Sequence, residues 1–89
     1  MRKLSLQKAV IKELDELPAK HYRQVVSAIL DLLVDPALHY SKRLQNSPYS
    51  RIAVGEYRVI YRADDGVVAV AAFGKRNDRA VYQWLERHP

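Results

Sequence analysis

RIAVGEYRVIYRADDGVVAVAAF, residues Arg51 to Phe73, is the stretch that decides the fold. β-Branched and aromatic residues alternate with polar or small ones, the period of a half-buried strand. The run is broken twice, at Gly55-Glu56 and at Asp64-Asp65-Gly66. The spacing predicts three strands, Arg51 to Val54, Tyr57 to Ala63 and Val67 to Phe73, joined as an antiparallel meander. A Gly-first pair suits a two-residue type II′ turn, and Asp-Asp-Gly suits a three-residue loop with its glycine left-handed. With those loop lengths Val54 closes on Tyr57 and Ala63 closes on Val67. One face then collects Ile52, Val54, Tyr57, Val59, Tyr61, Ala69, Ala71 and Phe73. The other collects Arg51, Ala53, Arg58, Ile60, Arg62, Val68, Val70, Ala72, Gly74 and Arg76. A one-residue slip in either loop would scramble this separation, because the side-chain period of a strand is two.

Outward from the meander, the sequence supplies what covers its apolar face. Leu4 to Leu6 alternates briefly and reads as a short first strand. From Gln7 to Leu17, Val10, Leu14 and Leu17 recur at helical steps, and Pro18 ends that helix. In a second helix Tyr22, Val26, Ile29, Leu30 and Leu33 share a face, and Asp35-Pro36 stops it. Ala37 to Tyr49 reads as a polar connector. Past the meander, Asp78 can cap a last helix carrying Val81, Tyr82, Trp84 and Leu85. The expectation is one α+β domain over residues 1–89: a short N-terminal strand, an antiparallel helix hairpin packed on a mainly antiparallel sheet, and a C-terminal helix.

Composition narrows the function classes. A chain of 89 residues buries roughly 60% of its unfolded surface, enough for one small core. At 48% hydrophobic it is too apolar for a disordered tail, yet it has no 18-residue apolar run. The absence of cysteine excludes disulfides, thiolate metal sites and cysteine nucleophiles. The basic start at Arg2 and Lys3 meets further charges at Lys8 and Lys12, too soon for a signal peptide, so a cytoplasmic protein without a membrane partner is expected. Fifteen basic residues against ten acidic leave a net charge of +5, which favours a polyanionic partner.

The arginine-bearing face is where chemistry is expected. Arg51, Arg58 and Arg76 come from three neighbouring strands, among small residues Ala53, Ala72 and Gly74. Like charges gathered on one face repel, so a purely structural sheet gains by interspersing acids. Guanidinium forks over a small-residue floor suit a phosphate that approaches the backbone closely. A solvated outer sheet face is the alternative reading of the same pattern. Other candidates are weaker. His21, His39 and His88 are scattered, Asp64 and Asp65 have a turn explanation, and the three glycines form no phosphate loop. The helix pair's apolar stripes are explained by core packing rather than by DNA reading.

The string Gly55-Glu56-Tyr57-Arg58-Val59-Ile60-Tyr61, then Gly74-Lys75-Arg76, then Val81-Tyr82, resembles the RelE toxins of bacterial toxin–antitoxin systems. Leu33-Val34-Asp35-Pro36 and Leu44 agree, and the resemblance covers nearly the whole chain. It implies a microbial-ribonuclease-like fold and an mRNA endoribonuclease acting in the ribosomal A site. It further implies a cognate RelB-like antitoxin, with operator DNA bound only through that partner. By position Arg58 matches the arginine that holds the scissile phosphate, and Arg76 the one that stabilises the transition state or protonates the leaving group. Tyr82 matches the tyrosine that stacks on or orients the nucleotide. Arg51 falls where some members carry the first of two catalytic lysines. The second lysine aligns with Ala53, so a base at that position is missing; Lys42, Arg43 and Lys75 are the phosphate-binding or substitute candidates.

The implied reaction needs no metal or other cofactor. The 2′-OH attacks its own phosphate in line and a 5′-OH leaves, while clustered guanidinium groups offset the charge that grows on the phosphorane. Lacking a suitably placed histidine, the proton transfers fall to groups of high unperturbed pKa, so substrate positioning must supply much of the rate. Two other readings stand beside this one: a non-catalytic inhibitor of gyrase on the same fold, as in the ParE relatives, and a protein acting mainly as co-repressor with its antitoxin.

Overall fold

The computed structural model describes residues 2–37, 41–76 and 79–87, the last stretch without the side chains of Arg79, Ala80 and Tyr82. Strand β1 (Lys3–Leu6) leads into helices α1 (Lys8–Asp15) and α2 (Ala19–Val34). Strands β2 (Ser41–Arg43), β3 (Ser50–Val54), β4 (Tyr57–Asp64) and β5 (Val67–Lys75) follow, and helix α3 (Arg79–Arg87) comes last. The sheet order is β1-β5-β4-β3-β2. Every pairing is antiparallel except β1 with β5, which is parallel and sets Lys3 beside Val67 and Leu6 beside Val70. The α+β architecture expected from the sequence is the one observed.

The helix hairpin covers one sheet face. Val10 and Leu14 of α1, with Val25, Ala28, Ile29, Leu32 and Leu33 of α2, form one cluster with Ile52, Tyr57, Val59, Tyr61, Val68, Val70 and Phe73. The buried stripe of α2 is rotated from the one expected. Ile29 and Leu33 are inside as read, but Tyr22 and Leu30 remain 40% and 49% exposed, and Val25, Ala28 and Leu32 take their places. Helix α2 is apolar over more than one stripe, so periodicity alone leaves its rotation ambiguous by one ridge. Its C-terminal end is tied to the sheet by Arg2, whose backbone N–H donates to the Leu33 carbonyl and whose guanidinium donates to that of Val34. A cation at a helix C-terminus also opposes the macrodipole.

The β3–β4 hairpin has the expected register, Val54 opposite Tyr57, with a positive φ of 58° at Gly55. The β4–β5 hairpin departs from expectation. Its loop has two residues, Asp65 and Gly66, both with positive φ, so Asp64 pairs with Val67 and Ala63 with Val68. Two successive left-handed residues give the type I′ arrangement, which matches the strand twist better than the longer loop. A bulge follows: Tyr61 pairs with Val70 but Ile60 pairs with Ala72, leaving Ala71 as the extra residue. The two departures have a clear consequence. Between tip and bulge Val68 and Val70 point into the core, both at most 1% exposed, where Ala69 and Ala71 were expected. Beyond the bulge the parity returns, with Phe73 inside and Gly74 outside beside Arg58.

The expected connector before Tyr49 contains an unforeseen strand, β2. Its Ser-Lys-Arg sequence has no hydrophobic alternation, and it forms by pairing with β3, Lys42 opposite Arg51. Tyr61 reaches out beneath it. Its hydroxyl donates to the Pro36 carbonyl, and burial pushes its pKa up while contacts with Ser41 and Ser50 pull the other way. At the other end, Val81 of α3 is buried, Trp84 lines a small crevice with Ala71 and Ala72, and the Trp84 ring meets Tyr49 edge-on at 5.1 Å. The proposed cap Asp78 lies outside the described residues.

Candidate functional site

Register decides which basic residues can share a ligand. Lys42, Arg51 and Ile60 stand side by side across β2, β3 and β4, and Ala53, Arg58 and Gly74 form the neighbouring row across β3, β4 and β5. Lys42, Arg51 and Arg58 therefore share the face opposite the helix hairpin. Directly opposed like charges destabilise a strand pair, so the Lys42–Arg51 neighbourhood is costly without an anion. Arg43 pairs with Ser50, and Lys75 with Tyr57, which places both on the other face. Lys75 lines a cleft there with Glu13, Glu16 and Leu17 of the first helix region. The four basic candidates are thus divided by strand parity, Lys42 with Arg51 on one side and Arg43 with Lys75 on the other.

The arginine face is only partly open. Ile60, expected to lie exposed beside the arginines, is 1% exposed, and Val70, expected with it, is equally buried on the opposite face. What remains open is the end near the β3–β4 turn, where Ala53 is exposed and Gly74 and Ala72 are half-buried. This supports a small-residue floor at that end and contradicts an extended apolar patch running on through Ile60 and Val70.

At that end two arginines hang from one turn. The Arg58 guanidinium donates to the Gly55 carbonyl at 3.1 Å and to its own neighbour's carbonyl, Tyr57, at 2.9 Å. The Arg76 backbone N–H donates to the Glu56 carbonyl at 2.6 Å. Carbonyls of three consecutive residues, Gly55, Glu56 and Tyr57, so hold the Arg58 guanidinium and the Arg76 backbone. Gly55 can hold its φ of 58° because it has no Cβ to clash. Arg76 is exposed and Arg58 half-buried, which suits groups that await an anion while keeping water. Arg62, on the same strand, is instead occupied. Its Nε is paired with the Asp64 carboxylate, and that hydrogen bond holds the Arg62 pKa above its ordinary value.

Of the remaining candidates, Tyr82 lies in α3, but its side chain is outside the described residues. His39 and His88 are likewise outside, and among the described residues no group of His, Asp and Glu could hold a metal ion. A contact that the sequence did not signal joins His21 of α2 to Tyr57 of β4, Nδ1 to hydroxyl, at 3.0 Å. The partners are 36 positions apart, and neither lies in a pattern that would join them. A wide groove of about 630 Å³ between α2 and the β3–β4 turn is lined by Arg23, Ser27, Asp31 and Val54, and holds none of Arg51, Arg58 or Arg76.

Comparison with known proteins agrees with this architecture. An arginine-to-alanine double mutant of E. coli toxin RelE in the free state superposes with a TM-score of 0.81 at 24% identity, covering 98% of this chain and 96% of that one. The archaeal RelE of the RelE–RelB complex from Pyrococcus horikoshii gives 0.77 at 26% identity, over 85% and 96%. The toxin–antitoxin complex RelBE2 from Mycobacterium tuberculosis gives 0.70 at 25%, over 84% and 98%. No curated protein sequence matches the chain. No helix among the described residues is long and apolar enough to cross a membrane. The family model for the ParE toxin of type II toxin–antitoxin systems, parDE, matches residues 4–80. With that match over most of its length and a RelE-like fold over nearly all of it, the chain belongs to the ParE toxin family and is a type II toxin of the RelE/ParE superfamily.

Proposed function

We propose that this toxin is a ribosome-dependent mRNA endoribonuclease. The observation that carries the reading is the pair Arg58 and Arg76, fixed on one turn beside Gly74 at the open end of the sheet. One guanidinium held in place, Arg58, and a second whose backbone is anchored beside it, Arg76, over the side-chain-free Gly74 are suited to a phosphate whose charge grows during attack by the 2′-OH. Arg51 and Lys42, on the same face, are suited to the flanking backbone phosphates, and Tyr82 is assigned to the nucleotide base by resemblance. Lys75 and Arg43, on the other face, are less favourably set to serve as the base that Ala53 does not supply. Weak proton transfer leaves positioning by the ribosome as the main source of rate.

The proposed partner is an antitoxin. The RelE proteins of P. horikoshii and M. tuberculosis were solved with theirs, and an acidic segment folding over the arginine face would silence it by charge pairing. Binding of operator DNA would come only through that antitoxin.

A second reading has its own support: the matching family model is that of the ParE toxin, and Ala53 stands where a nuclease lysine is expected. On that reading the toxin inhibits gyrase and cuts no RNA. Primer extension on translated mRNA after induction separates the two. Cuts within codons, with naked RNA barely touched by the purified protein, are expected. Unbroken mRNA accompanied by DNA damage overturns the nuclease reading.

A further inference from the structure

Tyr57 and Arg58 are adjacent on β4 and point to opposite faces, so the turn at Gly55-Glu56 is held from both sides. On the arginine side the Arg58 guanidinium and the Arg76 N–H fasten to the carbonyls of residues 55–57. On the helix side the Tyr57 ring is only 7% exposed, lies 6.1 Å from Phe73 and meets the His21 imidazole edge-on at 5.4 Å. Its hydroxyl is bonded to His21 Nδ1 at 3.0 Å. His21 sits in the first turn of α2, so this bond is a direct polar tie between the helix hairpin and the end of the β3–β4 hairpin.

We infer that His21 is a positioning residue: acting through the Tyr57 hydroxyl, it fixes the turn from which Arg58 and Arg76 both hang. A hairpin end is the part of a sheet that pivots most readily, because its ladder stops there and the loop beyond faces water. The apolar contacts of Tyr57 resist its withdrawal from the core but are non-directional. The bond to His21 is directional and fixes where along α2 the ring sits. A shift of the turn moves the Arg58 guanidinium and the Arg76 backbone together, since their anchoring carbonyls belong to consecutive residues. For its catalytic consequence the inference rests on the nuclease reading; for the placement of Arg76 it does not.

The test uses three single substitutions and one double. Tyr57→Phe keeps the ring and deletes the hydroxyl, His21→Leu deletes the partner, and His21→Asn restores a hydrogen-bonding group near the place of Nδ1. Amide hydrogen exchange of Arg76 in the isolated toxin reads the tie to the Glu56 carbonyl directly. Single-turnover cleavage on programmed ribosomes reads the maximal rate and the half-saturating ribosome concentration. Tyr57→Phe and His21→Leu are each expected to speed Arg76 exchange by about tenfold, leaving amides at the centre of β4 unchanged. The maximal rate should fall by about tenfold or more with half-saturation held within about twofold, the signature of misplaced catalytic groups. The double variant should be no worse than either single one, and His21→Asn should recover most of the loss. Unchanged Arg76 exchange in both single variants overturns the inference, as does a uniform rise across the whole sheet, which marks mere destabilisation. If the unmodified toxin cuts no mRNA, the nuclease reading falls, and the exchange result alone decides whether His21 positions the turn.

Discussion

The same strands build two faces of opposite character. Toward the helix hairpin, β3, β4 and β5 present Ile52, Val59, Tyr61, Val68 and Val70, none more than 1% exposed. Away from it, the β3–β4 turn end presents Ala53, Arg58, Gly74 and Arg76, small or charged and reached by water. Burial of the first set drives folding in proportion to the apolar area removed from water. The second set buries less apolar area, and on the proposed function its charges serve an external anion. The difference shows that strand parity divides most of the buried side chains from most of the charged ones, so that neighbours such as Tyr57 and Arg58 face opposite sides of the sheet.

Substitutions on each face can break that separation. The largest effect is expected in the core, where Leu32 is fully buried. Leu32→Ala should cost about 2–5 kcal/mol in urea unfolding, and activity should be lost only as the protein unfolds. Arg58→Ala and Arg76→Ala should do the reverse. Each should slow single-turnover cleavage by on the order of 100-fold, with stability changed by no more than about 0.5 kcal/mol for Arg76→Ala and about 1 kcal/mol for Arg58→Ala, which loses two hydrogen bonds to the turn. Thermal unfolding alongside the rates distinguishes the two outcomes, and a fully active, well-folded Arg76→Ala protein would dissolve the functional half of the comparison.

A smaller effect is expected at Tyr61, whose hydroxyl is bonded to the Pro36 carbonyl. Tyr61→Phe should cost about 1 kcal/mol. Its pKa is raised by burial, so the folded state holds the proton more tightly than the unfolded chain does. The stability linked to that proton is complete below the ordinary tyrosine pKa of about 10 and falls as pH rises above it. Urea midpoints measured across that range should decline more steeply for the unmodified protein than for Tyr61→Phe. The smallest effect is expected at Arg62. Its pair with Asp64 is exposed and local to one hairpin, so Arg62→Ala should leave both the urea midpoint and the cleavage rate where they were.

Much of this was legible in the residues, for reasons that differ by element. The β3–β4 hairpin was readable because Gly55 fixes its turn type and the turn fixes the register. The β4–β5 hairpin was not, because a two-residue Asp65-Gly66 loop and a bulge at Ala71 leave the apolar pattern of Val67 to Phe73 unmarked. A run of valines and alanines looks alike in either parity, and only the larger volume of Val68 and Val70 makes their burial the better packing. The rotation of α2 was open for the same reason, since Tyr22, Val26 and Leu30 form a ridge as regular as the one that is buried. The shared face of Arg51 and Arg58 was legible because strand parity follows from spacing once the β3–β4 register is set. The His21–Tyr57 bond was missed because a single long-range polar contact leaves none.

The parallel pairing of β1 with β5 has a bearing on when the fold can be completed. Strands β2 to β5 are neighbours in sequence and can pair as each is made, but Lys3 must wait for Val67, its partner 64 residues later. At translation rates of about 5–20 residues per second the first strand emerges roughly 3–13 s before its partner exists. During that interval the amphipathic helix hairpin has at most part of its sheet to cover, and β1 has no partner strand. Until then the nascent chain's apolar surface is exposed, as in any incompletely folded chain. A circular permutation that moved β1 behind α3, with a linker long enough to cross back to the start of β5, would shorten that interval without altering one residue of the arginine face.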